Sequence, residues 1–256
     1  MANPVLNGRK FEQEAEFVEA MTFGGGEAMT VNGTVQIAGV IGLIVLAASV
    51  FAWTRFTLGY MDMVKMLVYG GAIVGFILAI IISLCRFSSR LTNIKYLIPF
   101  YAVCEGFVIG GISAVAESYY PGIVSTAIAG TFAAFFSMLI LYQARVITCT
   151  DKLRSIIFIS TLSIAGVYLI NFIGMFFGLS VPFLYSASPL GIAISVVIVI
   201  IAAFNLLLDF DFVEKAAMRN FPKEYEWYGA FGLMVTLIWL YLEILNLLIK
   251  IQKARR

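Results

Sequence analysis

Seven long apolar stretches, at about residues 35–53, 64–85, 97–115, 123–142, 155–179, 189–213 and 227–249, decide what this chain can fold into. A helix crossing a hydrocarbon core of about 30 Å needs roughly 17–25 such residues at 1.5 Å each, and every stretch meets that length. None alternates in polarity as a membrane barrel strand must. Helices are then the spanning structure that pairs every backbone group inside lipid. The connections are too short for a second folded unit. The expected architecture is an all-α integral membrane protein: a polar tail over 1–34, then one domain of seven transmembrane helices over 35–256.

The composition agrees and removes whole classes of function. Of 256 residues, 61% are hydrophobic and 12% charged, against about 25% charged in a soluble domain. A net charge of +2 is too small for a nucleic-acid footprint. The chain has no histidine, which removes Ser-His and Cys-His nucleophiles, His-ligated zinc and a histidine pH switch. Cys85, Cys104 and Cys149 lie far apart in apolar sequence and read as buried, inert thiols.

The tail carries Arg9, Lys10, Glu12, Glu14, Glu16, Glu19 and Glu27, with a Gly24-Gly25-Gly26 joint. No apolar run follows its basic start, so it does not read as a cleavable signal peptide. A solvated tail with a short amphipathic helix near Phe11–Met21 is expected, and an anchor lying on the membrane surface is the alternative. Arginine and lysine counts then orient the domain. Seven crossings put the tail and the connections after helices 2, 4 and 6 on one side. That side holds Arg9, Lys10, Arg86, Arg90, Lys95, Arg145, Lys152, Arg154, Lys215, Arg219 and Lys223. The connections after helices 3 and 5 hold none, so the N-terminus is expected in the cytoplasm. Lys250, Lys253, Arg255 and Arg256 oppose this rule if helix 7 crosses fully; otherwise that helix re-enters. Trp53, Tyr119, Tyr120, Trp227 and Tyr228 fall at expected interface levels. Gly71/Gly75 and Gly106/Gly110 mark close helix contacts.

Acidic residues inside the apolar stretches carry the strongest functional signal. A carboxylate at the bilayer centre costs at least about 2.5–3.5 kcal/mol on insertion scales. Four acids qualify: Glu105, Asp209, Asp211 and Glu243. Asp209 continues a stripe of small and polar residues, Asn205, Ala202, Ser195, Gly191 and Ser188, and is expected to face inward. Asp211, two residues on, points off that stripe and is expected to be solvated near a helix end. Glu243 shares a face with Gly232, Thr236 and Asn246. Glu105 is expected to be buried and to pair with Arg86, with Arg90 or with neither.

Whether Asp209 and Glu243 meet depends on the hairpin between them. The FVEKAAMR run (212–219) favours helix and extends the sixth helix to about 219, before the Asn220-Phe221-Pro222 breaker. Asp209 then lies about 15 Å from the turn and Glu243 about 25 Å from it. That mismatch is tolerable if the connection dips into the protein and counts against pairing otherwise. If the acids approach, they cannot both ionise cheaply, and the pair shares a proton or holds a divalent cation such as Ca²⁺ on its hard oxygens. A proton-gated or cation-conducting protein follows from that chemistry. The competing reading makes these acids hydrogen-bonding struts between helices.

Several segments are similar to a known family. NLLLDFDFVEKAA (205–217) and FPKEYEWYGAFGLMVTLIWLYLEILNLL (221–248) resemble the C-terminal signature of the Bax inhibitor/YccA-like (TMBIM) membrane proteins. EGFVIGGISAVAESYYPGIVSTAIAGTF (105–132) resembles that family's third and fourth helices, and Asn3-Pro4 with MTVNGTV (29–35) its bacterial branch. The resemblance implies a seven-helix fold with helix 7 enclosed by the other six, in a bacterial inner (plasma) membrane. It also implies a pH-sensitive calcium leak channel, with relatives that suppress cell death in eukaryotes. The family's paired acidic sensor corresponds to Asp209 and to Glu243 of Tyr241-Leu242-Glu243, where Glu replaces the usual Asp. Arg86 or Arg90 corresponds to an arginine that interacts with this pair in some members. The bacterial branch further implies restraint of a membrane-bound ATP-dependent protease through the N-terminal tail, here 1–34.

Two functions therefore stand side by side: a pH-sensitive cation (calcium) leak channel or transporter-like protein gated by Asp209 and Glu243, and a non-conducting protease modulator. The expected partners are the lipid bilayer, protons, Ca²⁺ and that protease, without nucleic acid and without a cofactor. Enzymatic chemistry is not expected. An intramembrane aspartyl protease would need a GxGD motif, which the chain lacks.

Overall fold

A computed structural model describes residues 27–85, 94–177 and 186–255. Seven helices run through them: α1 (Val31–Thr57), α2 (Met61–Cys85), α3 (Ile94–Tyr119), α4 (Ile123–Gln143), α5 (Asp151–Phe176), α6 (Pro189–Met218) and α7 (Tyr225–Arg255). Each is long and apolar enough to cross a membrane. Among the described residues there is no strand, only an isolated bridge between Ala28 and Pro222. The predicted amphipathic segment of the tail and the triple glycine lie outside the described residues.

Local chemistry sets the helix boundaries. Ser188 caps α6 by accepting a hydrogen bond from the Gly191 amide at 3.1 Å, and Pro189 occupies the first helical position, where its missing N–H costs nothing. The Asn220-Phe221-Pro222 breaker follows the α6 C-cap, with Asn220 at a φ of 53°. As expected, α6 continues through FVEKAAM to Met218. Between α3 and α4 the chain turns on Gly122, at a φ of 83°. There the Glu117 carboxylate accepts from the Gly122 and Val124 amides at 2.6 and 3.0 Å, satisfying donors at the start of α4. α7 is one uninterrupted helix to Arg255, long and apolar enough to cross a membrane.

The most buried helices are α3 and α7. α7 packs against α6, α1, α4 and α3, while α2 packs on α3 and α1. Apolar side chains cover the outside: Met66, Phe76 and Leu162 are more than 60% exposed. An apolar belt of that extent has no place in water and fits a lipid-facing surface. The glycine pairs act as read from the sequence. A Cβ on Gly106 would meet Val45 O at 2.6 Å, one on Gly110 would meet Ser49 Cα at 2.7 Å, and one on Gly71 would meet Cys104 O at 2.7 Å. Ser49 Oγ donates to Gly106 O at 2.9 Å across the α1–α3 contact this permits, as small residues do between membrane helices.

The topology parity is visible in side-to-side contacts. Residues 27–30 run along the α6–α7 connection: the Met29 amide donates to Phe221 O at 2.7 Å and the Lys223 amide to Glu27 O at 3.0 Å. From the α4–α5 connection and the start of α5, Arg145 and Arg154 reach Glu214 and Asp211 on α6. The N-terminal segment, the α4–α5 connection and the α6–α7 connection thus share one side, and Arg255 ends on the other.

Candidate functional site

Helices α5, α6 and α7 enclose a ladder of polar side chains, and its rungs follow from the antiparallel register of α6 and α7. Asp209 on α6 faces the Gly232–Thr236 turn of α7, with Oδ1 3.4 Å from where a Cβ on Gly232 would stand. At the other end, Lys250 on α7 donates to Gly191 O and Ser195 Oγ on α6. Between these rungs, Asn205 Nδ2 donates to Thr161 Oγ1 of α5 at 2.9 Å. The stripe read on α6 therefore meets polar partners at Asn205, Ser195 and the Gly191 carbonyl. Asp209 points inward, as expected, with Oδ2 buried and without a hydrogen-bond partner.

Glu243 is also buried, and two donors from different helices fix it. Tyr168 Oη of α5 donates to Oε1 at 2.8 Å, and Trp239 Nε1, one turn back on α7, donates to the same atom at 3.0 Å. Its second oxygen, Oε2, is buried with no partner. Asn171, one turn beyond Tyr168 on α5, is buried as well.

The register of α6 against α7 gives Asp209 and Glu243 different neighbours. Asp209 is level with about residue 234 of α7, nine residues before Glu243, or about 13 Å along the axis at 1.5 Å per residue. The Glu243 carboxylate reaches back one turn to Trp239, on the side of Asp209. The cause of the offset is the extension of α6 to Met218: it places Asp209 nearer the turn than Glu243, as the hairpin count allowed. Among the described residues, no three His, Cys, Asp or Glu side chains come together as a metal site.

Asp211 departs from expectation. Expected in solvent, it is 6% exposed and accepts from Arg154 at 2.5 Å and Lys215 at 2.8 Å. Lys215 is one turn further along the same helix, but Arg154 arrives from α5, a contact that only the tertiary fold supplies. Beside it, Glu214 accepts from Arg145 at 3.0 Å and from Tyr142. The nearby Cys149 thiol is pushed up by burial and by the Asp211 charge, which disfavours the reactive thiolate. Glu105 lies half-buried between α2 and α3, its Oε1 3.2 Å from where a Cβ on Gly75 would stand. Arg86 and Arg90 lie outside the described residues.

Two charged residues were not singled out from the sequence. Glu226, 3% exposed, accepts from the amide and hydroxyl of Thr30 at 2.9 and 2.8 Å. Thr30 is the N-cap of α1, so the first turn of α7 supplies an anion to the positive end of α1. Nearby, Lys223 donates to Glu27, and this ammonium holds the exposed Glu27 carboxyl below its usual range. The second is Lys250, 2% exposed, which the sequence groups with the terminal cations. The available signal was spacing: Thr236, Glu243 and Lys250 recur every seven residues, two helical turns apart on one face.

A protein-family model described as Bax inhibitor 1 like matches residues 3–253. No curated protein and no solved structure is matched.

Proposed function

The chain belongs to the Bax inhibitor 1-like family, and from that premise we propose that it is a pH-sensitive cation leak, with Ca²⁺ as one cargo. The supporting observation is the ladder itself: buried polar groups on α5, α6 and α7, with one unpartnered carboxylate oxygen on each of Asp209 and Glu243. Buried carboxylates are expensive in a membrane protein and mark ion or proton paths. Because the two acids stand on different turns, the reading assigns them successive roles. A cation moves from one carboxylate to the next, and neither site binds so tightly that it traps the ion. Protonating either acid removes the charge that attracts the ion, so flux depends on pH without histidine. The proposal places the protein in a bacterial plasma membrane with its N-terminus in the cytoplasm, and gives it no enzymatic step.

Purified protein in liposomes loaded with a calcium-sensitive dye tests this reading. Flux that changes severalfold between pH 6 and 8 is expected; wild-type flux that stays flat over that range, or is absent, overturns it.

The restraint of a membrane-bound ATP-dependent protease is a second reading, favoured by the strap at residues 27–30. Backbone hydrogen bonds with Phe221 and Lys223 anchor Met29 and Glu27 to the α6–α7 connection. Deleting residues 2–26 keeps the strap and is expected to abolish restraint without lowering the melting temperature. Restraint that survives the deletion removes this reading.

A further inference from the structure

Lys250 has an inexpensive alternative to its observed position. It lies five residues from Arg255 at the end of α7, and lysines near helix ends ordinarily extend along apolar surface to put the ammonium in water. Here the residue is 2% exposed, and the ammonium is held inside. It donates to Ser195 Oγ at 2.6 Å and to Gly191 O at 3.2 Å.

Those two acceptors, a hydroxyl and a backbone carbonyl, are hard oxygens of the kind that ligate Ca²⁺. Side chains on a helix tilt toward its N-terminus, so the Lys250 stem leads from the far side of the membrane toward Glu243. Glu243 is 5% exposed and retains an oxygen with no hydrogen-bond partner. From α5, Tyr168 donates to Glu243; from α6 the neighbouring polar groups are Ser195 and the Gly191 carbonyl. Lys250 and Glu243 are charges of opposite sign, two turns apart on one face of α7.

We propose that Lys250 is a tethered cation, filling an outer cation position built from Gly191 O and Ser195 Oγ, with Glu243 behind it, and so excluding free divalent cations. This rests on the cation-leak reading above and adds its far-side gate. A mobile cation gains the position only when the ammonium leaves it. The protein supplies its own competitor, and leak through the resting molecule is set by how firmly Ser195 and Gly191 hold it.

Lys250→Met keeps the length of the side chain and removes its charge, and the full chain in detergent gives a readout independent of conduction. Millimolar Ca²⁺ is expected to raise the melting temperature of Lys250→Met, to leave wild type and Lys250→Arg unaffected, and to lose its effect when Glu243→Gln is added. In liposomes, calcium flux through Lys250→Met is expected to exceed wild type about tenfold, the effect of removing a competitor worth about 1.4 kcal/mol. Lys250→Gln also removes the charge and leaves Ser195 and the Gly191 carbonyl in place; should Lys250→Met fail to fold, a gain of the same sign in Lys250→Gln carries the test. If neither foldable variant gains a Ca²⁺-dependent stabilisation, the tethered-cation assignment is wrong. Stabilisation by Ca²⁺ with no flux through any variant, wild type included, upholds the occupied position and overturns the cation-leak reading instead.

Discussion

Asp209→Asn is expected to flatten the pH response of calcium flux while leaving the fold as stable as wild type or more so. The two side chains have nearly the same shape, so the packing against Gly232 and Thr236 is kept. What changes is charge. Asp209 Oδ2 is buried without a hydrogen-bond partner, and an acid at bilayer depth costs at least about 2.5–3.5 kcal/mol on insertion scales. The amide avoids the cost of ionisation. Its two donors need acceptors, and the Thr236 hydroxyl can accept one of them. The net gain is thus smaller than the insertion figure, about 1 kcal/mol after one donor is left partly unmet. For a chain of this size that is a rise of about 2–4 °C in melting temperature. Flux through the variant should no longer vary between pH 6 and 8. A variant that melts lower and keeps the full pH response would identify Asp209 as a structural hydrogen-bonding group and not as an ionisable station.

The parts of this molecule legible from sequence are those where lipid or the local backbone imposes the answer. Spans were readable because a bilayer demands about twenty apolar residues. The start of α6 at Ser188-Pro189 and its end before Asn220 were readable as cap and breaker. The true helices run past the apolar stretches, from Val31 in α1 and to Arg255 in α7, because polar residues at the membrane surface continue a helix without marking its end. Asp209 was legible as inward through its small-residue stripe, and the glycine pairs through their spacing. Asp211 was misread because its partner Arg154 is 57 residues away on α5, and no periodicity on α6 reveals it. The same limit hid Glu226, whose role is to accept from Thr30 across 196 residues. Lys250 was obscured by company: beside Lys253, Arg255 and Arg256 it looks like one more terminal cation. The hairpin arithmetic, which offsets the two acids by about 10 Å, agrees with the register seen: Asp209 faces Gly232 and Glu243 meets Trp239.

The largest stability effect is expected at Glu243, where removal and neutralisation should separate cleanly. Glu243→Ala deletes the acceptor of Tyr168 Oη and Trp239 Nε1 and also the nearest opposite charge to the buried Lys250. Breaking compensation around a buried charge costs about 3–5 kcal/mol, equivalent to a fall of roughly 6–20 °C in melting temperature for a chain of this size. Glu243→Gln keeps an oxygen that both donors can reach and loses only the charge, so its cost should be smaller, about 1–3 kcal/mol. Glu243→Asp keeps the charge but withdraws it by one methylene, which weakens the reach to Tyr168 on α5 first. The decisive comparison adds Lys250→Met to Glu243→Ala. If the cost of the single change comes mainly from an uncompensated ammonium, the double variant should recover about 1–3 kcal/mol of it, the coupling expected of groups in one network. Thermal melts of the four proteins in one detergent measure that coupling. Additive losses would mean that Glu243 is held only by its two aromatic donors and that Lys250 answers to Ser195 and Gly191 alone.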